Sequence, residues 1–144
     1  MSDKFSQAVR SKIMSHIRKT DTRPEMIVRK FLYNQGFRYR LYSKNLPGHP
    51  DIVLRKFKTV IFVNGCFWHM HLGCKYNRLP KSKMYYWKPK LEGNAKRDKL
   101  NRDLLINSGW EVITVWECEL EGNKKSKTLK KLITSLKKIN IYLI

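Results

Sequence analysis

Ten consecutive positions, Gly65-Cys66-Phe67-Trp68-His69-Met70-His71-Leu72-Gly73-Cys74, hold two thiols, two imidazoles and an adjacent aromatic pair, and a third cysteine follows at Cys118. Packing alone does not require that density. Zinc is usually held by four thiolate or imidazole ligands in a tetrahedron, so Cys66, Cys74 and Cys118 with one of the two histidines would form a closed Cys3His structural site. If His71 is the fourth ligand, His69 is left for other work; if His69 ligates, the roles are exchanged. The dull alternative makes Cys118 a small buried hydrophobe and the other three incidental. A metal clamp would constrain the fold directly, because it ties an irregular segment to wherever Cys118 lies.

At 144 residues the chain is read as a single domain, 1–144, long enough to bury about 70% of the surface its unfolded form would expose. Lys and Arg number 31 against 11 Asp and Glu, a formal charge of +20, and that excess points to a polyanionic partner. No apolar run reaches the roughly 18 residues of a membrane-spanning helix, and the N-terminus has no secretory apolar core. A cytoplasmic protein that is not membrane-bound is expected. Three cysteines are an odd number, which suits metal ligation in a reducing compartment better than a disulfide framework.

Residues 1–21 read as a basic N-terminal arm, with Ile13, Met14 and Ile17 at helical spacing, and residues 22–144 as the core. Thr22-Arg23-Pro24-Glu25 has capping-box spacing with Pro in the first turn, Val28, Phe31, Leu32 and Gln35 share a face, and Gly36 is a stop. Phe37 to Tyr42 predicts a short strand. Asp51 to Leu54 and Thr59 to Val63 predict an antiparallel hairpin joined by Arg55 to Lys58. Residues 64–89 read as irregular. A helix is expected from about Lys90 to Ser108, closed by Gly109, then an apolar strand Glu111 to Trp116 and a last helix from about Lys127 to Lys138. The order predicts a mixed α/β domain.

Several side chains have two readings on the residues alone. Asp51, after Pro50 at a strand start, is either a turn residue or a carboxylate able to hold Mg²⁺ with carbonyls, waters and substrate oxygens. Glu25 is the capping partner of Thr22. His69, opposite Asp51 if the strands pair, can take a proton from water in phosphodiester hydrolysis. Phe67, Trp68, Tyr85, Tyr86 and Trp87 are core residues or rings that stack on or wedge between bases, and Met14 on the arm has the same choice.

Met14-Ser15-x-Ile17-Arg18 with Thr22-x-Pro24-Glu25, Leu46-Pro47-Gly48-x-Pro50-Asp51, Gly65-Cys66-Phe67-Trp68-His69-x-His71, Trp110 and Val115-Trp116-Glu117-Cys118 together resemble the very short patch repair (Vsr) endonuclease family. The resemblance runs from about residue 8 to about residue 120, in the family's order and spacing. It implies a restriction-endonuclease-like core of the PD-(D/E)xK type: an α/β fold with a central mixed sheet flanked by helices, a structural zinc site and the basic arm. It also implies a Mg²⁺-dependent enzyme that nicks one strand of double-stranded DNA 5′ to the thymine of a T·G mismatch left by deamination of 5-methylcytosine. A functional link to a cognate cytosine-5 DNA methyltransferase follows. One nick needs one active site, so a monomer is expected.

By position, the resemblance makes Asp51 the Mg²⁺ carboxylate with the Val63 carbonyl as second ligand, His69 the general base and Glu25 the residue that orients it. Cys66, His71, Cys74 and Cys118 match the zinc ligands. Phe67, Trp68 and Trp87 match aromatics that enter the duplex from the major groove, with Met14 entering from the minor groove. Asp98 falls near a family acidic position. Two departures stand out. Val63-Asn64 replaces Thr-His of some members, and asparagine cannot shuttle a proton; His71-Leu72-Gly73-Cys74 has one residue more than the usual His-x-Cys, an insertion Gly73 can absorb. Two other readings of the residues remain: a zinc-stabilised DNA-binding module without catalysis, and a restriction enzyme that cuts both strands.

Overall fold

The computed structural model describes residues 20–143, so most of the predicted arm, Met14 included, lies outside the described residues. Among the described residues there are three helices and one four-stranded sheet, a mixed α/β architecture as expected. Helix α1, Arg23–Asn34, starts as its sequence dictates: the Thr22 hydroxyl accepts from the Glu25 amide at 3.4 Å and Pro24 sits in the first turn. The Glu25 carboxylate does not return to the cap residue. It accepts from the amide one residue earlier, Asp21, at 3.1 Å. At the other end Gly36 N–H donates to Tyr33 and Phe37 N–H to Leu32, the paired bonds of a Schellman stop.

The predicted strand over 37–42 is only β1, Arg40–Leu41. It pairs antiparallel with β2, Ile52–Leu54, which pairs antiparallel with β3, Thr59–Asn64, in the register Ile52↔Ile61 and Leu54↔Thr59. The hairpin is therefore as expected, its link being a 3₁₀ turn over Arg55–Phe57. Strand β4, Glu111–Trp116, joins β3 in parallel, Thr59 beside Glu111 and Asn64 beside Trp116.

Alternation along these strands splits the core into two layers. Ile52, Leu54, Ile61, Val63 and Val115 pack with Val28 and Leu32 of α1 and with Leu129, Leu132 and Leu136 of helix α3, Lys124–Leu143. Val53 and Val60 face the other way, onto Leu105 of helix α2, Met84–Asn107, with Phe62 and Val112 beside them. Burial on both faces explains why β2 and β3 read as unbroken apolar runs rather than alternating ones.

Helix α2 begins at Met84, a turn and a half before the predicted start. Pro89 is the reason for the difference: it has no N–H for the Tyr85 carbonyl and reads in sequence as a helix boundary, yet the helix passes through it. Tyr85, Tyr86 and Trp87 therefore stand on a helix and not in a loop. Helix α3 is likewise longer at both ends than predicted. No helix among the described residues is long and apolar enough to cross a membrane.

Candidate active site and metal cluster

Parallel pairing of β3 with β4 decides where the cysteines meet. Asn64 and Trp116 are neighbours across the ladder, so Cys66 and Cys118, each two residues further on, emerge side by side at the same end of the sheet. The chain after Cys66 coils tightly, with His71 N–H on the Cys66 carbonyl at 3.0 Å and Cys74 N–H on the His71 carbonyl at 3.3 Å. Gly73 takes φ +76°, the left-handed backbone that absorbs the extra residue before Cys74. One ligand atom from each of Cys66, His71, Cys74 and Cys118 lies within 4.8 Å of the other three. The imidazole that joins the thiols is that of His71, with Nδ1 3.4 Å from Cys118 Sγ and the ring stacked on Trp116 at 4.1 Å.

Burial pushes the Cys66 thiol up to about 12 and raises Cys118 as well, while the Tyr76 amide 3.5 Å from its sulfur lowers Cys74. Three thiols and an imidazole at such separations fit a small tetrahedral cation with metal–sulfur bonds of about 2.3 Å.

His69 instead meets helix α2 and lines a cleft of about 1080 Å³ over the α2 face of the sheet, a cleft that His71 also borders. Asp51, Glu25, Asn64, Asp98 and Arg102 line the same cleft. Asp51 directly precedes β2 and lies beside the end of β3, where its Oδ2 accepts from the Val63 amide at 2.7 Å. The turn that delivers it is tightly fixed. Gly48 has φ +76°, and a Cβ there would meet Asn101 at 3.1 Å and Phe62 at 3.2 Å.

Burial raises the Asp51 carboxyl to about 6; the Val63 amide and His69 oppose the rise, and the charge of nearby Glu25 adds to it. A carboxylate with so little compensation has the electrostatics of a cation ligand.

Helix α2 supplies the partners of the loop from one face. Asn94 Nδ2 donates to the Trp68 carbonyl at 3.1 Å, and one turn later Asp98 Oδ2 lies 2.6 Å from His69 Nδ1. Glu25 lines the cleft with His69, but its hydrogen bonds run elsewhere. The carboxylate on the His69 ring is Asp98, whereas Glu25, 3% exposed, accepts on Oε2 from the Tyr42 hydroxyl at 2.6 Å and from Asp21. A carboxylate at Nδ1 makes that nitrogen the donor and leaves Nε2 as the basic position.

Phe67, Trp68 and Trp87 gather into one half-buried cluster with centroids 5.2 to 5.8 Å apart, and Lys90 Nζ lies within 6 Å of the Trp68 and Trp87 rings. Of the predicted site residues, only Met14 lies outside the described residues. Tyr42 and Asn94 were not anticipated. No motif marks a phenol after a two-residue strand, though the spacing of Asn94 and Asp98 on one helix face was readable.

A cleft that sets carboxylates beside Lys90, Lys99 and Arg102 in a strongly basic chain suits a polyanion, and comparison with known proteins identifies the class as DNA endonucleases. The family model described as DNA mismatch endonuclease Vsr matches residues 2–75. The chain is 48% identical over 120 residues to the type II nicking enzyme V.XorIIP of Xanthomonas oryzae pv. oryzae, covering 83% of this chain and 88% of that one. It is 44% identical over 138 residues to the nicking enzyme V.NmeAIP of Neisseria meningitidis, covering 95% and 98%. With the DNA mismatch endonuclease Vsr of Escherichia coli K12 it shares 38% over 125 residues, covering 87% and 80%. The chain belongs to the Vsr family of DNA mismatch endonucleases.

Proposed function

We propose that this protein is a Mg²⁺-dependent, strand-specific endonuclease that nicks duplex DNA 5′ to the thymine of a T·G mismatch and so begins very short patch repair. The single observation that carries the reading is the cleft in which Asp51, burdened by burial, faces an imidazole whose Nδ1 is held by Asp98. Family membership supplies the substrate class. The Pro50-Asp51 pair supports a PD-(D/E)xK type of core, although β3 carries no acidic-x-lysine sequence to complete that pattern.

Asp51 would hold the divalent ion. In an extended strand the N–H and C=O of one residue face the same neighbour, and the Val63 N–H faces Asp51; this supports the Val63 carbonyl as a further ligand. When bound, the ion supplies charge neutralisation on the scissile phosphate. His69 Nε2 takes the proton of the attacking water, and Asp98 keeps the ring in the tautomer that can do so. Phe67, Trp68 and Trp87 test the duplex by partial unstacking, which costs less at a mismatched pair. Arg102 and the surrounding basic surface contact phosphates, giving affinity that falls with salt.

Cys66, His71, Cys74 and Cys118 would hold Zn²⁺ in a closed set, whose contribution is to fix the loop. Asn64 would stand in the cleft as a hydrogen-bonding residue without a proton-transfer role. The protein would act as a monomer on DNA methylated by a cytosine-5 methyltransferase.

Incubating a labelled duplex, with and without one T·G pair, in Mg²⁺ tests the proposal. One nick on the thymine strand of the mismatched duplex is expected. Cleavage of both strands of the paired duplex, or intact DNA throughout, overturns it. Asp51→Ala should lose at least about a thousandfold in rate while still binding the duplex; retained nicking removes Asp51 from the mechanism.

A further inference from the structure

Tyr42 takes no part in the chemical step, yet it touches both acids at the mouth of β2. The register Arg40↔Val53 and Leu41↔Ile52 sets Tyr42 beside Asp51 on the next rung, and its N–H donates to the Asp51 carbonyl at 3.3 Å. The ring then crosses to α1. Its hydroxyl lies 2.6 Å from Glu25 Oε2 and 2.9 Å from Asp21 Oδ1, and the Asp21 amide donates back to the phenol oxygen at 2.8 Å. Arg29 Nη1 braces the group from 2.5 Å on Asp21. Tyr42 has φ +49°, a backbone that bulky residues seldom adopt and that persists where the surroundings over-determine it.

We propose that Tyr42 is a positioning residue for the nuclease centre: its backbone grips Asp51, its hydroxyl grips Glu25, and it thereby fixes the separation of the two carboxylates. The inference rests on the nuclease reading of the cleft. At 2.6 Å from a carboxylate oxygen, the hydroxyl is the donor of that pair. Glu25 and Asp51 line one cleft, so where the Glu25 carboxylate sits sets the negative field a cation meets at Asp51. Without the hydroxyl, Glu25 Oε2 keeps only the Asp21 amide of these two donors, and the site loses preorganisation while the strand pairing, a backbone property, survives.

The test is Tyr42→Phe in the full chain, assayed on the T·G duplex under single-turnover conditions. The expected result is a rate ten- to about a hundredfold lower, a raised half-saturating Mg²⁺ concentration and unchanged duplex affinity, with the chain still fully folded at the assay temperature despite a modestly lower thermal midpoint. In a Glu25→Gln background the same substitution should have no further effect, because Tyr42 acts through Glu25. The cycle can also be read from Mg²⁺ binding to the protein alone, which needs no turnover. An unchanged rate and Mg²⁺ dependence, equal losses in both backgrounds, or a rate loss explained by a smaller folded fraction at the assay temperature overturns the inference while the wild-type nick still stands. A wild-type chain that leaves the mismatched duplex intact overturns the nuclease reading itself.

Discussion

The loop between β3 and α2 is held at one end by four soft donors from two chain segments, whereas the cleft beside it draws on α1, the β1–β2 rung, the end of β3, the loop and α2. The first arrangement would act as a cross-link once it holds a metal ion: its members share one ion-sized space and none would work alone. The second is an assembly in which each side chain is set by its own element and has its own hydrogen bond. Damage to the first should therefore be collective and damage to the second local.

The sharpest way to break that contrast is to substitute one residue on each side. If the proposed metal is bound, Cys66→Ser or Cys118→Ser should lose it, lower the thermal midpoint and abolish both nicking and mismatch recognition, since a structural metal contributes folding free energy directly. His69→Ala should cost about 10²–10⁴-fold in nicking rate with the midpoint and zinc content intact. Metal analysis, melting curves and the nicking assay on the same preparations decide it; a His69 variant that also sheds zinc would erase the distinction.

A smaller effect is expected from Asp98→Asn. The amide can still meet the His69 ring but no longer dictates which nitrogen bears the proton, so a loss of about 10- to 100-fold in rate is expected without change in duplex affinity. An unaltered rate would show that the loop alone orients His69.

The smallest effect is on stability and carries the opposite sign. Asp51 titrates at about 6 in the folded metal-free protein against 3.8 as its ordinary value. The folded state thus favours the protonated acid: its stabilisation is complete below the ordinary value and is lost as pH rises through about 6. Two units correspond to roughly 3 kcal/mol, an upper figure for what Asp51→Asn should add to the metal-free protein near pH 7.5. Other carboxylates titrate in both proteins and cancel in the difference, so the advantage should vanish below about pH 3. Paired denaturant titrations at the two pH values measure it.

Much of the cross-link was legible in the sequence, because thiols and imidazoles at that density have few other uses. Its histidine was not fixed by spacing, and only the fold puts His71 with the sulfurs and His69 in the cleft. The hairpin, the strand at 111–116 and the start of α1 were also legible, each from local chemistry: β-branched runs, a capping hydroxyl and a first-turn proline. The parallel pairing of β3 with β4 was not, since it depends on contacts between distant segments. Helix α2 was misjudged at its start because Pro89 outweighs its neighbours in a local reading. The cleft was the least legible part. Glu25 looked like a cap, Asp98 had only a family position to recommend it, and Tyr42 had no signal, because its importance comes from the rung on which β1 happens to place it.

The side-by-side exit of Cys66 and Cys118 from two parallel strands also bears on the protein's birth. A chain emerging from the ribosome would display its entire aromatic and histidine-bearing loop long before β4 is made, with the thiol set still incomplete. If the loop needs all four donors to hold its shape, cutting competence arrives only after β4 and Cys118 have been made, so a nascent molecule drawn to DNA by its charge before that point would be harmless to it.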